Sequence, residues 1–183
     1  MGMQQIIQAC KRKDRKARGE LYKSTAAQMM NICMRYTDDL NTAKDVFQES
    51  YLKVFEKIHQ FDSKKGNLMA WMSRIAVNTA LEQLRKAKKI EYVDAFAPAL
   101  HPVSDEDIIA DLSATELLDY VNQLATPYKL VFNLYVVEGY QHQEIADLLG
   151  ITASTSRSQL ARARVLLQKI IKKNKNRIGY ETA

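Results

Sequence analysis

The stretch HQEIADLLGITASTSRSQLARAR, His142 to Arg164, decides what kind of fold the chain adopts. Ile145, Ala146 and Leu149 are spaced as the buried face of a short helix. Gly150 supplies a tight turn, and Thr152 is placed to cap a second helix. That helix turns Ser156, Leu160, Ala163 and Leu167 inward. The pattern is a helix-turn-helix, in which the second helix enters a DNA major groove with its N-terminal residues toward the bases. Projection outward from Leu160 leaves Ser154, Thr155, Ser158 and Arg162 on the free face, with Arg157 and Gln159 at its flanks. Hydroxyls, amides and guanidinium groups read base edges or hold phosphates. A helix pair without a DNA role is the plain alternative, and the basic, polar face tells against it.

Working back from this motif, a helix from about Ala114 to Leu124 is expected, followed by Thr126-Pro127 as an N-cap with Pro at the first helical position. Gly139 closes that second helix at Glu138. Further upstream, no Lys or Arg occurs from Ile90 to Tyr128, while Glu91, Asp94, Asp105, Glu106, Asp107, Asp111, Glu116 and Asp119 do. Pro98 and Pro102 fall in this acidic stretch and bias their neighbours away from helix. The segment reads as a flexible acidic linker between two helical modules, or as a tether that serves only solubility.

The N-terminal module carries three helical patterns, Gln4 to Tyr36 with a break near Gly19, Thr42 to His59, and Leu68 to Lys89. No run alternates as a strand does, so the expected class is all-α. In AKDVFQESYLKVF, Ala43 to Phe55, the residues Ala43, Val46, Phe47, Ser50, Tyr51, Val54 and Phe55 form one face to bury. Asp45, Gln48, Glu49, Leu52 and Glu56 form a second stripe, with a leucine that the buried face cannot use. In GNLMAWMSRIAVNTALEQLRKAKK, Leu68, Met72 and Ile75 point inward with Trp71 beside them. Arg74, Asn78, Glu82, Arg85 and Lys89 line one side, and Glu82 is spaced to pair with Arg85 or Lys86. The loop FDSKKGN, Phe61 to Asn67, brings Lys64 and Lys65 to the start of this helix. Two readings fit: a solvated face with Trp71 in the core, or a surface that tracks unpaired nucleic acid and pockets an extruded base.

Composition bounds the rest. The chain has 183 residues, 46% hydrophobic and 26% charged, enough for one ordinary domain or two small ones. Its net charge of +6 makes a polyanion a reasonable partner, although an inert basic surface has the same sum. Cys10, Cys33 and the scattered histidines lack metal-ligand spacing, so no metal is expected. There is no signal-peptide core and no apolar run long enough for a bilayer, which points to the cytoplasm and to no membrane insertion. No phosphate loop or nucleophile elbow appears, so an enzyme, a cofactor and a small-molecule substrate are not expected. A stand-alone repressor or activator would need a dimerisation surface, and no heptad run supplies one.

Taken in order, AxDxxQExxLxxF, a Trp-bearing RIAxNxxxxxLRK, an acidic linker and a helix-turn-helix ending SxSxLxRAR resemble the extracytoplasmic-function (group 4) sigma factors of bacterial RNA polymerase. The resemblance runs from about Ile6 to Ile171. It implies a region 2-like domain over 1–89, a linker over 90–113 and a region 4-like domain over 114–183. It implies that Asp45, Gln48, Glu49 and Leu52 dock on the β′ clamp helices of core polymerase. Phe61, Lys64, Lys65, Asn67, Trp71, Arg74, Asn78, Arg85 and Lys86 would bind the minus-ten element, and Ser154, Thr155, Arg157, Ser158, Gln159 and Arg162 the minus-thirty-five element. The implied partners are core polymerase, through the clamp helices and the β flap, promoter DNA, and an anti-sigma factor of the kind common in the family. The chain departs from common family forms at Glu82, where many relatives carry Asp. It also has TSRSQL where TVKSRL is common, so Ser156 replaces an apolar anchor and Gln159 a cation.

Overall fold

The computed structural model describes residues 2–87 and 113–181, with side chains over 2–87, at 113 and over 116–174. These residues form helices and the turns that join them, with no strand among them, and the chain divides into two units between Ala87 and Lys88. Residues 88–112 lie outside the described residues, and with them all of the expected 90–113 linker except Ser113.

The first unit comprises α1 (Met3–Lys11), α2 (Arg15–Arg35), α3 (Leu40–Lys57), a single 3-10 turn (Ile58–Gln60) and α4 (Leu68–Lys86). Helix α2 packs against α1, α3 and α4, and α3 packs against α4. The core is drawn from the inner stripes of all four, with Leu21, Met29, Val46, Met72 and Leu81 fully buried. Burial of each such side chain stabilises the fold by roughly 1.5–3 kcal/mol. Thr25 and Ser50, polar residues within the core, find partners. The Thr25 hydroxyl donates to the Leu21 carbonyl at 2.7 Å, its oxygen lies 2.7 Å from the Tyr51 hydroxyl, and Ser50 donates to Val46 O at 2.6 Å. Cys10 and Cys33 are buried free thiols, and burial pushes Cys33 up to about 12, which keeps it protonated and unreactive.

The first helical pattern breaks at Lys13 rather than near Gly19. Lys13 takes φ 64°, its N–H bonds to Cys10 O at 2.9 Å, and the Asp14 N–H bonds to Ala9 O at 3.1 Å. These are the reversed bonds that end a helix with a left-handed residue. Asp14 then caps α2, accepting from Ala17 N at 2.8 Å. Gly19 sits inside α2 with open space where a Cβ would stand, so nothing there demands glycine. Similarly, Asp39 caps α3 by accepting from Thr42 N at 2.9 Å, and the helix begins at Leu40, ahead of Thr42.

The second unit comprises α5 (Ala114–Val121), α6 (Thr126–Phe132), a π turn (Asn133–Val137), α7 (His142–Leu149) and α8 (Ala153–Glu181). Ser113 and Glu116 cap α5 reciprocally, with Glu116 N to Ser113 Oγ at 3.2 Å and Ser113 N to Glu116 Oε2 at 2.9 Å. Helix α8 is the spine against which α5, α6 and α7 pack. Leu130, Leu134, Ile145, Leu167 and Ile171 are fully buried between them. Thr126 is not the cap of α6. Ala125 holds that position without a side-chain bond, its carbonyl accepting from Tyr128 N and Lys129 N, and Pro127 falls in the first turn where no N–H is needed. The helical run that α6 begins does end at Glu138, its cap, ahead of Gly139 at φ 77°, but after Phe132 it widens into the π turn, closed by Glu138 N to Asn133 O at 3.0 Å.

Candidate functional surfaces

Helix α3 has two faces in the folded unit. Ala43, Val46, Phe47, Ser50, Tyr51 and Val54 are buried. On the opposite side Asp45 and Gln48 are exposed, Glu49 is half-buried, and Leu52 is 72% exposed. A leucine that open to water contributes almost nothing to the core, while a rim of polar groups around one apolar centre is the composition of a protein interface. Beside it, Lys53 reaches across to α4. Its ammonium lies 3.0 Å from Glu49 Oε1 and 2.7 Å from Glu82 Oε2, and the Gln83 amide donates to Glu49 at 3.2 Å. Hydrogen bonds from Lys53 and Gln83 hold the Glu49 carboxyl below its usual range. Glu82 is therefore tied to α3, not paired with Arg85 or Lys86 as helix spacing alone predicts.

On α4, Arg74, Asn78, Arg85 and Lys86 are exposed along one side, and Trp71 is half-buried. The preceding loop is shaped locally. Asp62 Oδ1 accepts from Lys64 N at 3.0 Å, Lys65 N bonds to Asp62 O at 3.0 Å, and Asn67 Oδ1 caps α4 through Met69 N at 2.7 Å. Lys64, Lys65 and Asn67 are exposed. Phe61 is not. It is 4% exposed, with its ring 5.5 Å from that of Trp71, and Lys11 Nζ donates to its carbonyl at 2.6 Å. Phe61 thus anchors the start of the loop and offers no face to a ligand, because an aromatic at the end of the 3-10 turn folds under it. No sequence signal marked Lys11, whose partner lies fifty residues away.

In the second unit Gly150 takes φ 68° and closes α7 through its N–H to Ala146 O at 2.9 Å. Thr152 caps α8 by accepting from Thr155 N at 3.0 Å. Ser154, Arg157 and Ser158 are exposed, and Thr155 and Arg162 are half-buried. Gln159, expected at the flank of this face, is 3% exposed, and its Oε1 has no hydrogen-bond partner among the described residues. It belongs to the packed side of α8, because the flank of a helix is buried wherever a neighbouring helix overhangs it. Ser156 is fully buried at an inward position, and its Oγ lies 2.8 Å from His142 Nδ1, which satisfies the hydroxyl. The imidazole stacks on Tyr135 with centroids 4.4 Å apart and planes inclined by 21°.

Burial, aided by Arg157 and Arg164, lowers the His142 pKa below its ordinary 6.5. The neutral ring is therefore the folded form, and the stability it lends is complete above the unfolded pKa and lost as pH falls through the lower folded value. A calorimetric melt of the full chain should show the transition of the second unit losing stability as pH drops below 6.5, and His142→Gln should flatten that dependence. An NMR titration midpoint for His142 above 6.5 would contradict the assignment.

Among the described residues no group of His, Cys, Asp and Glu could hold a metal ion, and no helix is long and apolar enough to cross a membrane.

The chain matches the family models Sigma-70 region 2 over residues 21–90 and Sigma-70, region 4, over residues 114–167. It is similar to the ECF RNA polymerase sigma factor SigW of Bacillus subtilis, 23% identical over 181 residues that cover 92% of this chain and 96% of that protein. Against SigV of Bacillus subtilis it is 28% identical over 137 residues, covering 75% and 80%. Among solved structures, the sigma factor RpoE in complex with the anti-sigma factor NepR from Bartonella quintana has a TM-score of 0.52 at 22% identity, covering 84% of this chain and 96% of that one. CnrH in complex with the cytosolic domain of CnrY has a TM-score of 0.51 at 18% identity, covering 92% and 96%.

Proposed function

We propose a residue-level division of labour for this chain, which belongs to the extracytoplasmic-function sigma factors and as such binds core RNA polymerase and directs it to promoters. It is a non-enzymatic initiation factor. The outer stripe of α3, Asp45, Gln48, Glu49 and Leu52, docks on the β′ clamp helices. The observation that carries this assignment is the exposure of Leu52, an apolar side chain at 72% accessibility between acids and an amide. Lys64, Lys65, Asn67, Trp71, Arg74, Asn78, Arg85 and Lys86 form the minus-ten surface, with Phe61 supporting the loop from beneath. Ser154, Thr155, Arg157, Ser158 and Arg162 read the minus-thirty-five element. Residues 1–89 and 114–183 act as the two DNA-reading domains, and 90–113 tethers them.

The parts explain why polymerase is needed. Melting DNA costs about 1.4 kcal/mol per base-pair step in stacking, so opening even a short minus-ten bubble takes several kcal/mol. Neither small module supplies that alone, whereas two weak readers held on one enzyme act at high effective concentration. An anti-sigma factor that covers the α3 stripe is a further partner of this reading, as RpoE was crystallised with NepR. The cytoplasm, where polymerase works, is the compartment.

Run-off transcription over a promoter library, with purified core polymerase, tests the proposal. The isolated chain should bind promoter DNA weakly and with little sequence preference, and core polymerase should confer start-site selection. Tight, sequence-specific binding by the isolated chain would overturn the division of labour.

A further inference from the structure

We propose that Lys53 is a positioning residue that bridges the polymerase-docking face of α3 and the promoter-facing side of α4, fixing Glu49 toward one and cancelling the charge of Glu82 toward the other. This rests on the assignment of those two faces above. The geometry is specific: one ammonium contacts Glu49 at 3.0 Å and Glu82 at 2.7 Å, from a side chain only 24% exposed. Gln83 adds a second cross-tie by donating to Glu49 at 3.2 Å.

The bridge is not needed to hold the helices together. Solvated ion pairs add little to folding stability, and the contact between α3 and α4 already has Val46, Val54, Met72 and Leu81 buried on its two sides. What the bridge determines is where two carboxylates point and what charge they present. Glu82 follows Asn78 by one helical turn, on the side of α4 assigned to DNA. A bare carboxylate there would repel the phosphates that Arg74, Arg85 and Lys86 are placed to attract. Glu49 is the half-buried member of the docking stripe, so its carboxylate has a defined direction only while Lys53 and Gln83 hold it. Removing the ammonium leaves both carboxylates facing one another across the width of a single ion, and they must splay. One side chain thereby sets the electrostatics of both faces.

The experiment uses holoenzyme assembled from core polymerase and the full chain, on a promoter selected by run-off transcription. Bubble formation is read by permanganate reactivity of minus-ten thymines, and polymerase affinity is measured separately. Lys53→Met should lower open-complex formation about fivefold, the scale on which one unit charge acts on another at ion-pair distance in water. Lys53→Arg should retain opening, because it keeps the charge and the reach. At saturating polymerase, the double variant Lys53→Met with Glu82→Gln should recover opening to within about twofold of wild type, since the Glu82 charge toward the DNA is gone. A merely structural role would not show that recovery, and a thermal melt of Lys53→Met within a few degrees of wild type would exclude unfolding. Normal opening by Lys53→Met, or a double variant as impaired as the single one, overturns the bridge. Normal opening by Asn78→Ala would instead overturn the assignment of the α4 side on which the bridge rests.

Discussion

Leu52→Glu should remain folded and lose core polymerase. Leu52 is 72% exposed, so its replacement touches no core contact, and a surface change of this kind shifts stability by no more than about 0.5 kcal/mol. The effect on docking is of another size. An apolar anchor at the centre of an interface contributes about 2 kcal/mol or more on truncation, and glutamate adds an unpaired charge that must be desolvated beside Glu49 and Asp45. Affinity should therefore fall by at least about 30-fold. Co-purification with core polymerase and a circular dichroism melt check the two halves together. A variant that melts early would place Leu52 in the core, and one that binds polymerase normally would remove the stripe from the interface.

Asn78→Ala should leave polymerase binding intact and impair promoter opening. The side chain is exposed on α4, one turn after Arg74 and on the side of the helix away from the buried Ala76, Val77 and Ala80. An asparagine amide that holds a base by paired hydrogen bonds is worth about 1–3 kcal/mol, so open complexes should fall by roughly fivefold to 150-fold. A promoter with a mismatched, already unpaired minus-ten segment should restore much of the loss, because the melting cost has then been removed. An Asn78→Ala chain that opens duplex promoters at the wild-type rate would show that the amide does not touch the strand.

Most of the helix content and the helix-turn-helix were legible because they depend on local chemistry. The left-handed Gly150, the Thr152 cap and the inward set Ser156, Leu160, Ala163 and Leu167 follow from residue type and a 3.6-residue period. The break after α1 was not legible in the same way, since Lys13 adopts the left-handed conformation that glycine usually marks, and Gly19 sits inside a helix. The close of the α6 run at Glu138 and Gly139 was legible, but the π form of its last turn was not. A π turn places Asn133 and Leu134 in the core, and no spacing rule announces an extra residue in a turn.

By itself the sequence determined which residues of each helix are apolar, the Gly150 turn and Thr152 cap of the helix-turn-helix, and the order of motifs that marks the family. Those properties depend on neighbours three or four residues away. Only the tertiary structure decided which flanking and paired side chains are accessible. Gln159 and Phe61 are buried by overhanging elements, Lys11 holds the carbonyl of Phe61, and Glu82 is paired with Lys53 rather than with its own helix. Burial of a helix flank and the choice of an ion-pair partner depend on what another segment brings alongside, and helical periodicity carries no information about that.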